Sequence, residues 1–162
     1  FVCQPIITES LGEAIDIDTE DYGGLLLRFE KGARGSLAVS QVAAGRKNET
    51  SFQIYGSKAS LRWNSERPDE LLVGHRDQAN QLVQRNPAFL SEDVSPFTNY
   101  PAGHAEGFPD SFKQLYKAIY TDIAAGRPSP RPLYATFQDG LSEMRLLEAI
   151  ASSHRQQAWQ PV

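Results

Sequence analysis

The hydrophobic pattern of this chain changes period once, and that switch limits its fold more than any single motif does. In Tyr22 to Glu30, and again in Phe52 to Trp63, residues of one face recur at every second position. Over 109–125 and again over 137–150 apolar residues recur every three or four positions. A period of two belongs to half-buried strands and a period near 3.6 to amphipathic helices. Strands followed by helices, with no βαβ alternation, predict an α+β domain.

In the stretch Tyr22 to Glu30, Leu25, Leu27 and Phe29 fall on one face and Leu26, Arg28 and Glu30 on the other. The glycine-rich turn 31–35 returns the chain into a strand over Ser36 to Ala44, a hairpin. A second hairpin pairs Phe52 to Tyr55 with Ala59 to Trp63 across Gly56-Ser57-Lys58. Leu71 to Gly74 and Gln81 to Arg85 are two further short strands, Val2 to Ile7 is another, and Ala158 to Val162 is expected as a closing edge strand. The first helix is predicted over 109–125: Pro109 suits the first turn, Gly126 stops it, and Phe112, Leu115, Ile119 and Ile123 form its core stripe. The second opens at Thr136-Phe137-Gln138-Asp139, a capping-box pattern, with Phe137, Leu141, Met144, Leu147 and Ile150 as its core stripe. The expected architecture is one domain, residues 1–162. It has a mostly antiparallel open β-sheet with two C-terminal helices packed on one face.

A net charge of −4 and the lack of any basic stripe exclude a nucleic-acid surface. Cys3 is the only cysteine, so no internal disulfide forms and a reduced, cytoplasmic setting is expected. No apolar run approaches the roughly 20 residues of a membrane span. His and Cys spacing of the metal-binding kind is absent, and the acids Asp16, Asp18, Glu20 and Asp21 alternate as strand residues do rather than as a calcium loop, so no metal is expected.

The segment Asn86 to Gly107 has no periodicity and contains three prolines. A loop of about 20 residues inside a compact domain is usually functional or disordered. It carries Tyr100, His104 and Glu106 just ahead of a helix N-terminus. A neutral imidazole both donates and accepts, which suits a hydroxyl-bearing substrate; the alternative is a loop histidine bonded to nearby backbone. Arg46, at the end of a central strand, is a further candidate for a polyol or phosphate, against the alternative of a solvated turn charge. Trp63 and Trp159 are read as sheet-packing residues.

Five stretches, in their order and spacing, carry a resemblance. They are Glu20-Asp21-Tyr22-Gly23-Gly24-Leu25-Leu26-Leu27-Arg28-Phe29, Gly32-Ala33-Arg34-Gly35-Ser36-Leu37, Ile54-Tyr55-Gly56-Ser57-Lys58-Ala59-Ser60-Leu61, Tyr100-Pro101-Ala102-Gly103-His104-Ala105-Glu106-Gly107-Phe108-Pro109-Asp110 and Thr136-Phe137-Gln138-Asp139-Gly140. Together they resemble the C-terminal domain of the Gfo/Idh/MocA oxidoreductases, which include glucose–fructose oxidoreductase and inositol dehydrogenase. The resemblance covers nearly the whole chain. It implies a domain that supplies part of a sugar or cyclitol pocket and the oligomer interface of an NAD- or NADP-dependent dehydrogenase. His104, Tyr100, Glu106 and Arg46 would be its substrate-binding residues.

The family's nucleotide-binding features have no counterpart here. No two glycines stand two positions apart, as a dinucleotide loop needs. Glu30-Lys31 is followed by Gly32 rather than by the proline of the family's catalytic Glu-Lys-Pro, and no histidine has an aspartate four residues before it. The expectation is therefore a C-terminal piece whose N-terminal dinucleotide-binding domain lies outside it, with no catalytic or cofactor-binding residue of its own and no activity alone. Its expected partners are that domain, a sugar or polyol, and further copies of itself through an open sheet face near Leu26, Ala38, Ser40 and Val42. The competing expectation is a stand-alone, non-catalytic binding or assembly module.

Overall fold

The computed structural model describes residues 8–10, 13–15 and 19–162, the first two segments by backbone alone. The expected strand Val2 to Ile7, with Cys3, and the acids Asp16 and Asp18 lie outside the described residues. The chain divides into two compact units, Phe1–Arg46 with Phe137–Val162, and Lys47–Thr136.

In the first unit, β1 (Thr8–Ser10) pairs with β2 (Glu13–Ile15), and β3 (Tyr22–Arg28) pairs with β4 (Arg34–Ser40), both antiparallel. The register sets Leu25 opposite Leu37 and Leu26 opposite Ser36. Leu25 and Leu27 are half-buried, whereas Leu26 on the other face is 71% exposed. The period-two reading of this strand holds, and Leu26, Ala38 and Ser40 do share one face. β4 ends at Ser40 rather than Ala44. Gln41 N–H still bonds the Asp21 carbonyl at 2.8 Å, in register with the ladder, and the Ser40 hydroxyl takes the N–H of Val42 at 3.2 Å where the chain leaves it.

The helix α2 (Phe137–Gln156) begins where the sequence places it. Its sheltered side is Leu146, Ala149, Ile150 and Ser153, which line a groove with Gly24 to Leu27 of β3. Of the stripe expected as core, Ile150 lies on this side, but Phe137 is 100% and Met144 62% exposed. Apolar residues occur on more than one side of α2, so a stripe at the right spacing did not fix which side turns inward. The expected edge strand Ala158 to Val162 is also not formed. Gln157 takes φ 52°, and Ser153 holds both the N–H of Ala158 (3.3 Å) and its carbonyl (2.7 Å), coiling the chain back on the helix end. Trp159 instead lies under the Arg28 guanidinium, 3.8 Å from the ring centre.

The second unit is an antiparallel meander, β5 (Ser51–Tyr55), β6 (Ala59–Asn64), β7 (Glu70–His75) and β8 (Gln81–Gln84), in that order across the sheet. Its register places Phe52, Ile54, Leu61, Trp63, Leu71, Val73 and Val83 on one face. Phe52 stacks on Trp63 with ring centres 5.6 Å apart, and the Trp63 indole N–H donates to the Pro68 carbonyl at 3.0 Å. Trp63 is thus a sheet-packing residue, as expected.

The helix α1 (Phe108–Ala124) ends at Gly126, whose φ of 68° is the left-handed conformation that stops helices. Its more sheltered positions include Asp110, Gln114, Ala118 and Asp122, four residues apart. Phe112 (45% exposed) and Ile123 (64%) of the expected core stripe face outward. The polar side is sheltered because it ties down the segments that precede and follow the helix. Gln114 Nε2 donates to the Phe97 carbonyl at 3.1 Å, and Asp122 Oδ2 accepts from Ser129 N–H and from the Tyr134 hydroxyl, each at 2.7 Å. The fold is α+β with only antiparallel ladders among the described residues.

Candidate functional site

The segment after β8 is not featureless. It forms 3₁₀ turns at Pro87–Phe89 and Ser95–Phe97 and a tight turn at 101–104 that the His104 N–H closes on the Pro101 carbonyl at 3.3 Å. Gly103 sits in this turn at φ +84°, with nothing within 4 Å of where a Cβ would stand.

One side chain holds this turn from beneath. Arg85 directly follows β8, and its guanidinium reaches residues far along the loop. Nε bonds Asp69 Oδ1 at 2.7 Å, Nη1 bonds the Tyr100 carbonyl at 3.0 Å, and Nη2 bonds the His104 carbonyl. Glu106 Oε2 lies 3.0 Å from Nη1 as an ion pair, with no donor aligned on it. The side chains of Arg85 and Glu106 are only 13% and 8% exposed. Glu106 Oε1 accepts from the Asn99 backbone N–H at 2.6 Å and from its side-chain amide at 3.2 Å. The planar five-donor fork of arginine suits such a node, since it serves two carboxylates and two carbonyls together.

Of the four residues expected at a substrate site, the structure brings Tyr100, His104 and Glu106 together and leaves Arg46 in the other unit. His104 and Tyr100 are exposed, and Lys113 Nζ stands 5.3 Å from the Tyr100 ring centre. Glu106 is turned inward to Arg85 and Asn99. Two grooves lie elsewhere, one between β3 and α2 and one over α1 beside Phe97 and Tyr134. Arg85 and Asp69 were not candidates in the sequence. Their only signal is an arginine at a strand end before a long loop, which becomes informative once the meander sets Asp69 beside Arg85 (Arg85 N–H to Asp69 carbonyl, 2.8 Å).

The strands described pair only antiparallel, and each helix carries an acid in its first turn, Asp110 in α1 and Asp139 in α2. Gly107 N–H, at the start of α1, is taken by Asp110 Oδ2 at 3.0 Å. No cluster of His, Cys, Asp or Glu suited to a metal ion occurs among the described residues. Nor is any helix among them long and apolar enough to cross a membrane.

Comparison with known proteins decides the family. The profile described as the oxidoreductase family, C-terminal alpha/beta domain, of Gfo/Idh/MocA type, matches residues 5–162. The chain belongs to this family. It is 31% identical over 149 residues to a levoglucosan dehydrogenase of Pseudarthrobacter phenanthrenivorans, covering 88% of this chain and 36% of that protein. The structure of an oxidoreductase from Sinorhizobium meliloti superposes with a TM-score of 0.80 at 30% identity, over 88% of this chain and 41% of that one. An inositol dehydrogenase homolog from Azotobacter vinelandii, in complex with NADH and myo-inositol, gives a TM-score of 0.70 at 28% identity, over 84% and 38%. The Gfo/Idh/MocA chain described here thus spans well under half the length of these relatives.

Proposed function

We propose that this chain is the substrate-side domain of an NAD- or NADP-dependent sugar or cyclitol dehydrogenase, supplying part of the polyol pocket and the surface through which copies associate. The observation that carries the reading is the turn at 101–104. It exposes His104 and Tyr100 on a backbone fixed from below by Arg85 and Glu106. A polyol needs groups that donate and accept at set distances, and a neutral imidazole and a phenol do both. The likeness to dehydrogenases whose names specify levoglucosan and inositol supports the same substrate class.

In this reading His104 and Tyr100 contact hydroxyls directly, and Glu106 acts through the loop rather than on the substrate. Arg46 is a separate candidate contact for a polyol or phosphate. The dinucleotide and the groups that move the proton come from a separate N-terminal domain of the parent protein. This chain alone binds no dinucleotide and carries out no reaction. Besides the face around Leu26, Ala38 and Ser40, the apolar row Phe52, Ile54, Leu61, Trp63, Leu71, Val73 and Val83 is, taken by itself, a second candidate face for pairing with a sheet of another copy. The parent works without a membrane or nucleic acid, in the cytoplasm.

The test is a screen of the full-length protein for reduction of NAD⁺ or NADP⁺ with levoglucosan, myo-inositol and a panel of hexoses. Turnover of at least one sugar or cyclitol is expected. No reduction with any of them would contradict the reading.

A further inference from the structure

We propose that Arg85 is the positioning residue of this pocket: it fixes the 101–104 turn and thereby sets where His104 stands. The inference rests on the polyol reading above and adds to it a residue that makes no contact with substrate.

Four observations carry it. Arg85 stands at the first position after β8, so its backbone is tied to the sheet through the 2.8 Å bond to Asp69. Its guanidinium binds the carbonyls of Tyr100 and His104, the residues that bracket the turn. Asp69 Oδ1 orients the fork at 2.7 Å and also takes the Glu106 N–H at 3.5 Å. Glu106 in turn pairs with the fork and grips Asn99, just ahead of the turn. Both ends of the turn are thus tethered to one rigid strand end, while the His104 side chain stays exposed. A carbonyl held by a sheltered guanidinium cannot shift without leaving that charge short of acceptors. Lysine keeps the charge but lacks the planar fork, so it cannot serve Asp69 and both carbonyls together.

The experiment compares wild type, Arg85→Lys, Arg85→Ala and His104→Ala in the full-length protein. Hydrogen exchange followed by mass spectrometry is read over residues 98–106, with the β5–β7 strands as internal control. Kinetics are read with levoglucosan and myo-inositol as probes. Arg85→Lys is expected to speed exchange over 98–106 by about tenfold or more with the strands unchanged, and to raise KM by roughly fivefold or more with a smaller change in kcat. Unchanged exchange over 98–106 in Arg85→Lys overturns the proposal, and so does full retention of wild-type KM by that variant. Faster exchange spread equally over the strands makes Arg85 a residue of the whole fold and also overturns it; if Arg85→Ala fails to fold, Arg85→Lys decides. If neither probe is oxidised, the kinetics are read with whichever hexose of the screen is; failure with every compound of that screen counts against the polyol reading instead, and the exchange comparison then decides on Arg85 by itself.

Discussion

Glu106 grips Asn99 twice with a single oxygen, taking its backbone N–H at 2.6 Å and its side-chain amide at 3.2 Å. The carboxylate therefore closes a seven-residue span of loop on itself while its other oxygen faces Arg85. One guanidinium here faces two carboxylates, Asp69 and Glu106, so the cluster carries an excess negative charge. Glu106→Gln removes that excess and keeps an acceptor for Asn99. It is expected to change unfolding free energy by less than about 1 kcal/mol, whereas Glu106→Ala, which strands the Asn99 donors, should cost about 1–3 kcal/mol. Urea unfolding of the two variants checks the ordering, and equal losses would show that the carboxylate's charge, not its acceptor, matters.

Gly103 should tolerate Asn better than Ala. Its φ of +84° is left-handed, and a Cβ would meet nothing within 4 Å, so the cost of substitution is backbone strain alone. Gly103→Ala is expected to lose about 1 kcal/mol, and Gly103→Asn less, because Asn visits this region more readily. Denaturant midpoints of the two variants measure it.

The Asp122–Tyr134 pair ties the end of α1 to the segment after it, and its contribution should have two pH limits. The Ser129 N–H bond first, and then the Tyr134 hydroxyl, hold the Asp122 carboxyl below its ordinary 3.8. The bond to Asp122 pushes the Tyr134 phenol above 10.0. A depressed carboxylate adds stability above its unfolded pKa and loses it as pH falls through the folded one. A raised phenol adds stability below its unfolded pKa and loses it as pH rises through the folded one. The stability difference between wild type and Tyr134→Phe is thus expected to be level from about pH 5 to 9 and to shrink on both sides. A difference that stays level into acid would contradict the pairing.

The reach of the sequence differs between elements for physical reasons. Period-two alternation located β3 and β5 to β8 closely, because the register of an antiparallel pair follows from which face is apolar. Pro109 and Gly126 bounded α1 to within a residue or two, through backbone geometry alone. The helix faces were read only in part: Ile119 and Ile150 are sheltered as expected, but α1 also shelters Asp110, Gln114 and Asp122 because they bond backbone, and hydrophobicity carries no record of such bonds. The same limit applies to the loop. Tyr100, His104 and Glu106 were legible as a group, but Arg85 was not, since its partners lie 15 to 19 residues away in sequence.

The proposed association has a candidate surface in the meander's apolar row, in which Phe52, Ile54 and Val83 remain exposed. A lysine in that row would be buried unpaired on sheet-to-sheet contact, at a cost of several kcal/mol. Ile54→Lys in the full-length protein is expected to shift sedimentation from an oligomer toward the monomer. A monomeric wild type at high concentration would rule out association by this face.

The most direct measurement is the steady-state kinetics of His104→Ala in the full-length protein, on whichever sugar or cyclitol it oxidises best. The side chain stands exposed on a turn whose backbone is held by Arg85, so its loss leaves the turn in place. If His104 orients a hydroxyl, KM should rise by roughly tenfold or more, the worth of about one hydrogen bond in a desolvated site, with kcat changed less and stability nearly unaltered. Unchanged KM and kcat would contradict the account and make His104 a loop residue whose carbonyl alone serves the fold.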